Sequence, residues 1–295
     1  MKLLPFALSL CLLAPLSCRA EEWQETKGSH FIVRYLASTV KPQGSAYPGD
    51  ISRFCYDTLD CAEKYYERVA GDLGYARAGG FWTWDKRVSI YIYPDHASYA
   101  ASSGHPQWSH GMADYDKKEI SSYAFSPDFL DSILPHELTH LIFRDFVGFK
   151  GEVPRWLDEG VAQWEEESKR TQMRGIIKKL YEDDSLLSIS DMMKLDVRTV
   201  KTTDSLYIRS VVTKKGARGV LFLTGDHLVY TYYVQAVSLV DFLIERFGSD
   251  DFADFCRQLR DGAALEEALQ KVYPLHFRSI DDFEEEWRKY LKEKY

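Results

Sequence analysis

The sequence predicts an α+β domain, and three observations carry that reading. Residues 29–36 (SHFIVRYL) read as a strand, and 88–94 (VSIYIYP) alternate with the period of two that half-buried strands need. From about residue 128 the apolar positions mostly recur at three and four residues, the spacing of helices packed on one side. The composition, 45% hydrophobic and 14% aromatic over 295 residues, is ample for one large core. Strands first and helices afterwards is the order of an α+β fold.

Taken along the chain, Met1–Ala20 stand apart. Lys2 gives a positive start, Leu3 to Leu16 an apolar stretch, and Cys18-Arg19-Ala20 a small-x-small cleavage pattern before Glu21-Glu22. This is a signal peptide pattern, so the mature chain is expected to be exported, periplasmic or extracellular, as one domain over residues 21–295. Acylation of Cys18 is the alternative, although Pro15-Leu16-Ser17 before it fits a lipobox poorly. Of five cysteines, Cys55, Cys61 and Cys256 remain. Cys55 and Cys61 lie six residues apart in a predicted helix, hence about 9 Å along its axis, too far for a disulfide. Apolar thiols are expected.

Residues 51–73 carry Phe54, Leu59, Ala62, Tyr65, Tyr66 and Val69 at helical spacing and end near Gly74. Residues 119–125 read as a second short strand stopped by Ser126-Pro127. The stretch between it and 88–94, marked by Gly104, Pro106, Trp108 and Gly111, reads as loop. Trp82 and Trp84 read as core or rim aromatics. Beyond 128, helical signals at 171–182 and 189–195 lead to a strand-like patch near 206–213 and a loop around Gly216 to Gly225. Phe283, Trp287, Tyr290 and Leu291 form an apolar face on a terminal helix opposite Glu284 to Glu286.

The formal net charge is −8, and −10 once Lys2 and Arg19 leave with the signal. That balance argues against nucleic acid or an anionic membrane surface as a partner. No run after residue 20 reads as a transmembrane helix, and oligomeric state leaves no signature.

The chemistry is concentrated in LPHELTHLIF, residues 134–143. His136, Glu137 and His140 form H-E-x-x-H, which on a helix puts both imidazoles one turn apart on one face, able to reach one metal ion. Glu137 is placed beside the first ligand to take a proton from an attacking water. Pro135 suits a first helical turn. Zinc needs a third protein ligand with one position left open. Glu159, in WLDEGVA at 156–162, follows His140 after eighteen residues. That is room for a turn through Gly148 and Gly151 and a second helix from Pro154. Asp158 is the rival ligand, but adjacent residues on a helix point about 100° apart.

HELTH followed after eighteen residues by WLDEG resembles the gluzincin metallopeptidases, the thermolysin-like and aminopeptidase-like branch, and more narrowly their peptidase MA-like domains. IYIYPDHASYAASSG and WSHGMAD upstream are similar to the segment preceding the active helix there. YYVQAVSLVDFLIERFG, ALEEAL and FEEEWRKYL downstream are similar to the helical tail. The resemblance implies a thermolysin-like zincin domain: a small N-terminal mixed β-sheet with the active-site helix, then a mainly helical C-terminal part. It implies His136, His140 and Glu159 as ligands of one zinc, and Glu137 as general base. It also implies a Tyr or His donor to the oxyanion, best matched by Tyr233 on a stripe with Val237, Val240, Ile244 and Phe247. Tyr230, Tyr232 and His227 are fallbacks. The implied activity is hydrolysis of peptide or protein substrates.

Departures narrow this. The aminopeptidases' Gly-x-Met-Glu-Asn signature is reduced to Gly111-Met112-Ala113-Asp114, which favours an endopeptidase, with Asp114 a possible amine contact. The position four past Glu159, an acid in thermolysin-like enzymes, is Gln163. The acceptor for the ligand histidines is therefore unassigned, with Glu165 to Glu167 and Asp145 near in sequence. The resemblance also makes 119–125 an edge strand able to pair with an extended substrate, an ordinary interior strand being the alternative. Residues 170–220 match least and read as an insertion able to cover the cleft, with the basic stretch Lys214-Lys215-Gly216-Ala217-Arg218. His96, His105 and His110 are candidates for a second metal. Two further functions stay open: a catalytically silent zincin-fold binding module, and a metal-dependent hydrolase of a non-peptide amide or ester.

Overall fold

The computed structural model describes residues 22–74, 82–103, 109–148, 153–201, 205–212 and 216–295. The expected signal peptide with Cys11 and Cys18, and also Gly104, His105, Pro106, Trp108, Gly151, Lys214 and Lys215, lie outside the described residues.

The N-terminal part is a five-stranded mixed sheet. It begins with β1 (Trp23–Lys27) and β2 (Phe31–Leu36), an antiparallel pair, and the first helix, α1 (Ile51–Asp72), follows. Then come β3 (Val88–Tyr93), α2 (His96–Ser103), β4 (Gly111–Asp114) and β5 (Glu119–Tyr123). The order across the sheet is β1-β2-β3-β5-β4, with β2, β3 and β5 parallel and both edges antiparallel. Phe31, Val33, Val88, Ile90, Ile92 and Ile120 are wholly buried. They occupy alternate positions, so one face of the sheet reads as a single apolar surface. Phe54, Cys55, Leu59, Ala62 and Val69 of α1 are buried in the same core, at the spacing the sequence predicted. Asp50 caps α1 by accepting from the Arg53 amide, and Gly74 takes the left-handed conformation after its end.

Several expectations need correction here. β5 is interior, flanked by β3 and β4, so the edge strand beside the helix that carries HELTH is β4. β4 and α2 fall in the stretch read as loop. Trp82 is buried, its indole N–H donating to Asp145 Oδ2 at 2.5 Å, whereas Trp84 is exposed.

A π-helical turn at Phe129–Ile133 leads into α3 (Leu134–Val147), which is followed by α4 (Arg155–Glu165), α5 (Glu167–Glu182) and α6 (Ile189–Lys194). A hairpin of β6 (Leu206–Val212) and β7 (Arg218–Thr224) stands where the sequence suggested one strand and a loop. The chain ends with α7 (Gly225–Phe247), α8 (Ser249–Arg260), α9 (Leu265–Val272) and α10 (Ile280–Lys294). By length and composition alone α7 is long and apolar enough to cross a membrane, but 72% of its apolar window is buried inside the fold, as in a core helix. It is the central helix of the C-terminal part. α4 lies so close on α7 that a Cβ at Gly160 would meet the Ala236 carbonyl oxygen at 2.8 Å. Asp241 of α7 is buried and accepts from Trp164 of α4, Arg174 of α5, and Tyr290 and Lys294 of α10, tying four helices at one carboxylate. Phe283, Trp287, Tyr290 and Leu291 dock α10 as predicted, and Cys55 and Cys256 are buried free thiols, with Cys61 half-buried.

Candidate metal centre

α3 and α4 bring the motif residues together. Pro135 sits in the first turn of α3, and the Thr139 hydroxyl donates back to its carbonyl at 2.6 Å. Leu134, Leu138, Leu141 and Ile142 anchor the buried side of the helix, which leaves His136, Glu137 and His140 toward α4 and the sheet edge. His136 and His140 are perpendicular rings with Nε2 atoms 3.2 Å apart. Glu159, in the second turn of α4, places Oε2 3.9 Å from His136 Nε2. One ligand atom from each of His136, His140 and Glu159 falls within 4.8 Å of the other two. Two ligands about 2.05 Å from a tetrahedral ion stand about 3.3 Å apart, so the imidazole pair already has the separation such an ion needs.

Each imidazole is held by a carboxylate at its far nitrogen. His140 Nδ1 lies 2.8 Å from Asp158 Oδ1, and His136 Nδ1 lies 2.8 Å from Glu166 Oε1. Those carboxylates are fixed in turn. Asp158 Oδ2 accepts from Arg144 at 3.2 Å, and Glu166, fully buried, is bonded by the Ser132 hydroxyl and by Lys169 Nζ at 2.6 Å. Both remote nitrogens being engaged, the two Nε2 atoms are left for a common ion, and the chemistry of the set fits zinc.

The electrostatics follow the contacts. Burial opposes ionisation of Asp158, but His140 and then Arg144 hold its carboxyl below the usual range. Burial likewise opposes Glu166, outweighed by His136 and Lys169, and it too is lowered. For His140, burial favours the neutral ring, yet the facing Asp158, then Glu159 and Glu137, raise it to about 9.

The remaining expectations divide. Glu137 Oε2 accepts from the Ala113 amide of β4 at 2.9 Å, so the edge strand holds the candidate base in place. Tyr233 is half-buried and reaches the cluster through Arg155, which hydrogen-bonds to it and lies 3.0 Å from Glu159 Oε1. Tyr232 is buried, Tyr230 exposed, and His227 interacts locally with the Thr224 hydroxyl. Asp145 binds Trp82 and Lys118, away from His136 and His140. Asp114 is paired with Lys117 at 2.9 Å. His96 bonds the Ser109 carbonyl and His110 the Tyr123 hydroxyl. Among the described residues, the one group of His, Cys, Asp and Glu side chains placed to hold an ion is His136, His140 and Glu159.

Sequence reasoning missed three participants. Asp158 was weighed only as a ligand, and it orients His140 instead. Arg144, four residues past His140 and so on the same helix face, was legible by spacing alone. Tyr115, just past β4, packs edge-on to His140 at 6.2 Å and lies under Arg144, whose guanidinium carbon is 3.9 Å from the ring centre. Burial, then Asp158, pushes its hydroxyl upward. A cavity of about 620 Å³ opens beside Asp158, bounded by Arg144, Arg155, Trp156, Leu195 and Tyr232, so part of segment 170–220 lines a cavity next to Asp158. No protein-family model matches this sequence, and no curated protein matches it either.

Proposed function

We propose that this chain is an exported zinc-dependent endopeptidase of the gluzincin type, built on a thermolysin-like, peptidase MA-like domain. The observation that carries the reading is the His136–His140–Glu159 cluster, with the far nitrogen of each ring seated on its own carboxylate. A solvated pair of histidines on a helix face has no need of Asp158 and Glu166 behind it.

His136 Nε2, His140 Nε2 and a Glu159 oxygen would hold the zinc. Bound there, zinc supplies a Lewis acid that polarises a carbonyl and makes water nucleophilic near neutral pH. Glu137, with Oε2 fixed by the Ala113 amide, has Oε1 to take the proton of the attacking water and pass it to the departing amine. Tyr233 accepts from Arg155, so its own O–H is left to donate to the developing oxyanion. In an antiparallel pair the N–H and C=O of one residue point the same way, so the Ala113 carbonyl faces the free edge of β4 beside Glu137. An extended peptide added to that edge would bring its scissile bond to the cluster. The missing Glu-Asn pair, together with Asp114 engaged by Lys117, removes the clamp the aminopeptidases use for a free amino terminus and favours internal cleavage.

Metal content of residues 21–295 beside His140→Ala and Glu159→Ala is the first test: one zinc per chain is expected, lost in both variants. Glu137→Gln should keep zinc and lose cleavage of a peptide library. A chain that takes up no zinc would leave a binding module. A zinc-loaded chain that cleaves esters or non-peptide amides but no peptide would move the assignment to that hydrolase class.

A further inference from the structure

The cavity of about 620 Å³ beside Asp158 is cationic on one side. Arg144, Arg155, Lys194 and Arg260 line it against two acids, Asp158 and Asp196, in a chain whose net charge is −8. Asp158 is committed to His140 and Arg144, and Arg260 to Asp261 and the Val147 carbonyl. The charge of the cavity therefore rests on Arg144, Arg155 and Lys194. Arg144 bonds Asp158 and lies over the Tyr115 ring, and its Nε is buried with no hydrogen-bond partner among the described residues. Arg155 meets Glu159 Oε1 at 3.0 Å and Tyr233, and it and Lys194 are exposed. A guanidinium has five N–H donors, so both arginines keep donors beyond the contacts that position them.

Apolar side chains, Trp156, Leu195 and Leu259 among them, complete the wall. Guanidinium N–H groups match a carboxylate two at a time, and an apolar wall suits the carbon skeleton that carries it. The cavity also lies where a bound peptide would run. Ala113 of β4 holds Glu137, and Tyr115, two residues on, lies under Arg144. A strand added to the free edge of β4 therefore heads, within about 7 Å at 3.3 Å per residue, for the Arg144 wall. From the other side Arg155 joins the cavity to Glu159. We propose that this cavity is a subsite for a carboxylate of the substrate, from an acidic side chain or a chain terminus, and that Arg144, Arg155 and Lys194 select it. That the occupant is a peptide rests on the peptidase reading above; the preference of the cavity for a carboxylate does not.

Calorimetry tests it on residues 21–295, which contain the whole described fold, carrying Glu137→Gln so that peptides bind without being cleaved. The probes are acetylated hexapeptides of one sequence: a neutral one with a C-terminal amide, the same with Glu at each position in turn, and the neutral one with its terminal carboxylate left free. At least one acidic probe should bind roughly tenfold or more tighter than the neutral one. A Glu probe that does so names a side chain as the source, and the free terminus alone names the chain end. Arg144→Gln should remove most of that ratio, and Lys194→Glu should cut it severalfold, more steeply at low salt. Affinity for the neutral probe should change less than about twofold in both, with the melting temperature kept. Equal binding of acidic and neutral probes overturns the inference, as does a ratio that survives both variants. Failure of the peptidase reading looks different. A chain that takes up no zinc and cleaves nothing, yet shows the ratio, keeps the subsite and loses that assignment. A zinc-loaded chain that cleaves peptides with no ratio keeps the assignment and loses the subsite.

Discussion

Zinc binding to this chain should tighten with pH between 7 and 9, and Asp158 should be the reason. His140 is 5% exposed. Burial alone would favour its neutral ring, but the carboxylate 2.8 Å from Nδ1 holds the metal-free side chain protonated up to about pH 9. A nitrogen must lose its proton before it can ligate. At pH 7, two units below that value, the neutral form is about one in a hundred, a cost of about 2.7 kcal/mol. The apparent affinity should therefore rise about tenfold per pH unit, about a hundredfold in all, and level off past pH 9. The same shift has a stability counterpart in the metal-free chain. Folded His140 keeps its proton above the unfolded value of 6.5, so its contribution is complete below pH 6.5 and lost as pH rises through 9.

Asp158→Asn separates the two things this carboxylate does. The amide keeps an acceptor near Nδ1 but removes the charge, so burial again favours the neutral ring and the proton competition between pH 7 and 9 should vanish. The less basic, less firmly oriented imidazole should then bind zinc roughly 10–100-fold more weakly in its own right. The deficit should be plain at pH 9 and nearly closed at pH 7, where wild type alone has a proton to displace. Competition against a chromophoric chelator at half-unit steps reads both curves. A wild-type affinity that is flat from pH 7 to 9, or a variant that keeps the wild-type slope, would refute the reasoning.

Three further outcomes follow from the packing. Gly160→Ala would gain up to about 1 kcal/mol in helix propensity, but its Cβ would lie 2.8 Å from a backbone oxygen that cannot yield. A net loss of about 1–3 kcal/mol in denaturant unfolding, with weaker zinc binding as neighbouring Glu159 shifts, is expected. Asp241→Asn should cost about 2–4 kcal/mol at pH 7 by leaving Arg174 and Lys294 without a buried counter-charge. Because Arg174, Trp164 and Lys294 hold Asp241 below its ordinary 3.8 against burial, that contribution is present above pH 3.8, and the gap to wild type should narrow as pH falls further. Glu165→Gln should do the opposite and stabilise. Burial, then Asp72, raises this carboxyl to about 7, neither oxygen has a hydrogen-bond partner, and Arg68 stands 3.4 Å off. Folding loses stability as pH rises from 4.5 to 7, so the variant should gain about 1–3 kcal/mol in melts at pH 8 and nothing below pH 4.5.

The sequence made the interior strands and the long helices legible because burial writes a period into them. Val88, Ile90 and Ile92 alternate, and Phe54, Leu59, Ala62 and Val69 repeat as a helix, since each faces one core. The elements that escaped lack that imprint. β1 reads Trp-Gln-Glu-Thr-Lys and is held at the sheet edge by its ladder to β2. β4 has four residues beginning with glycine. β7 does alternate, but Gly216, Gly219 and Gly225 around it suggested a loop. The candidate metal ligands were readable because one turn of helix fixes the spacing of His136 and His140. Their orienting acids were not, since Asp158 and Glu166 meet the histidines across eighteen and thirty residues of sequence, at distances set only by how α3 lies against α4.

That placement also explains why the candidate ligand and its rival are neighbours. Successive side chains on a helix diverge by about 100°, so from one turn of α4 Asp158 reaches around to the Nδ1 side of His140 while Glu159 points at the Nε2 side of His136. Eight residues past Asp158, where α4 gives way to α5, Glu166 closes on His136 from behind. A single segment thus supplies a candidate ligand and both orienting carboxylates. Its position is set by the next residue, Gly160, whose missing side chain lets α4 rest on the backbone of α7. A small displacement of α4 would move one oxygen of Glu159 and two hydrogen bonds to the imidazoles together. Metal affinity should therefore respond to α4–α7 packing more steeply than to loss of any one of those contacts, and Gly160→Ala measured beside Glu166→Gln is the comparison that decides it.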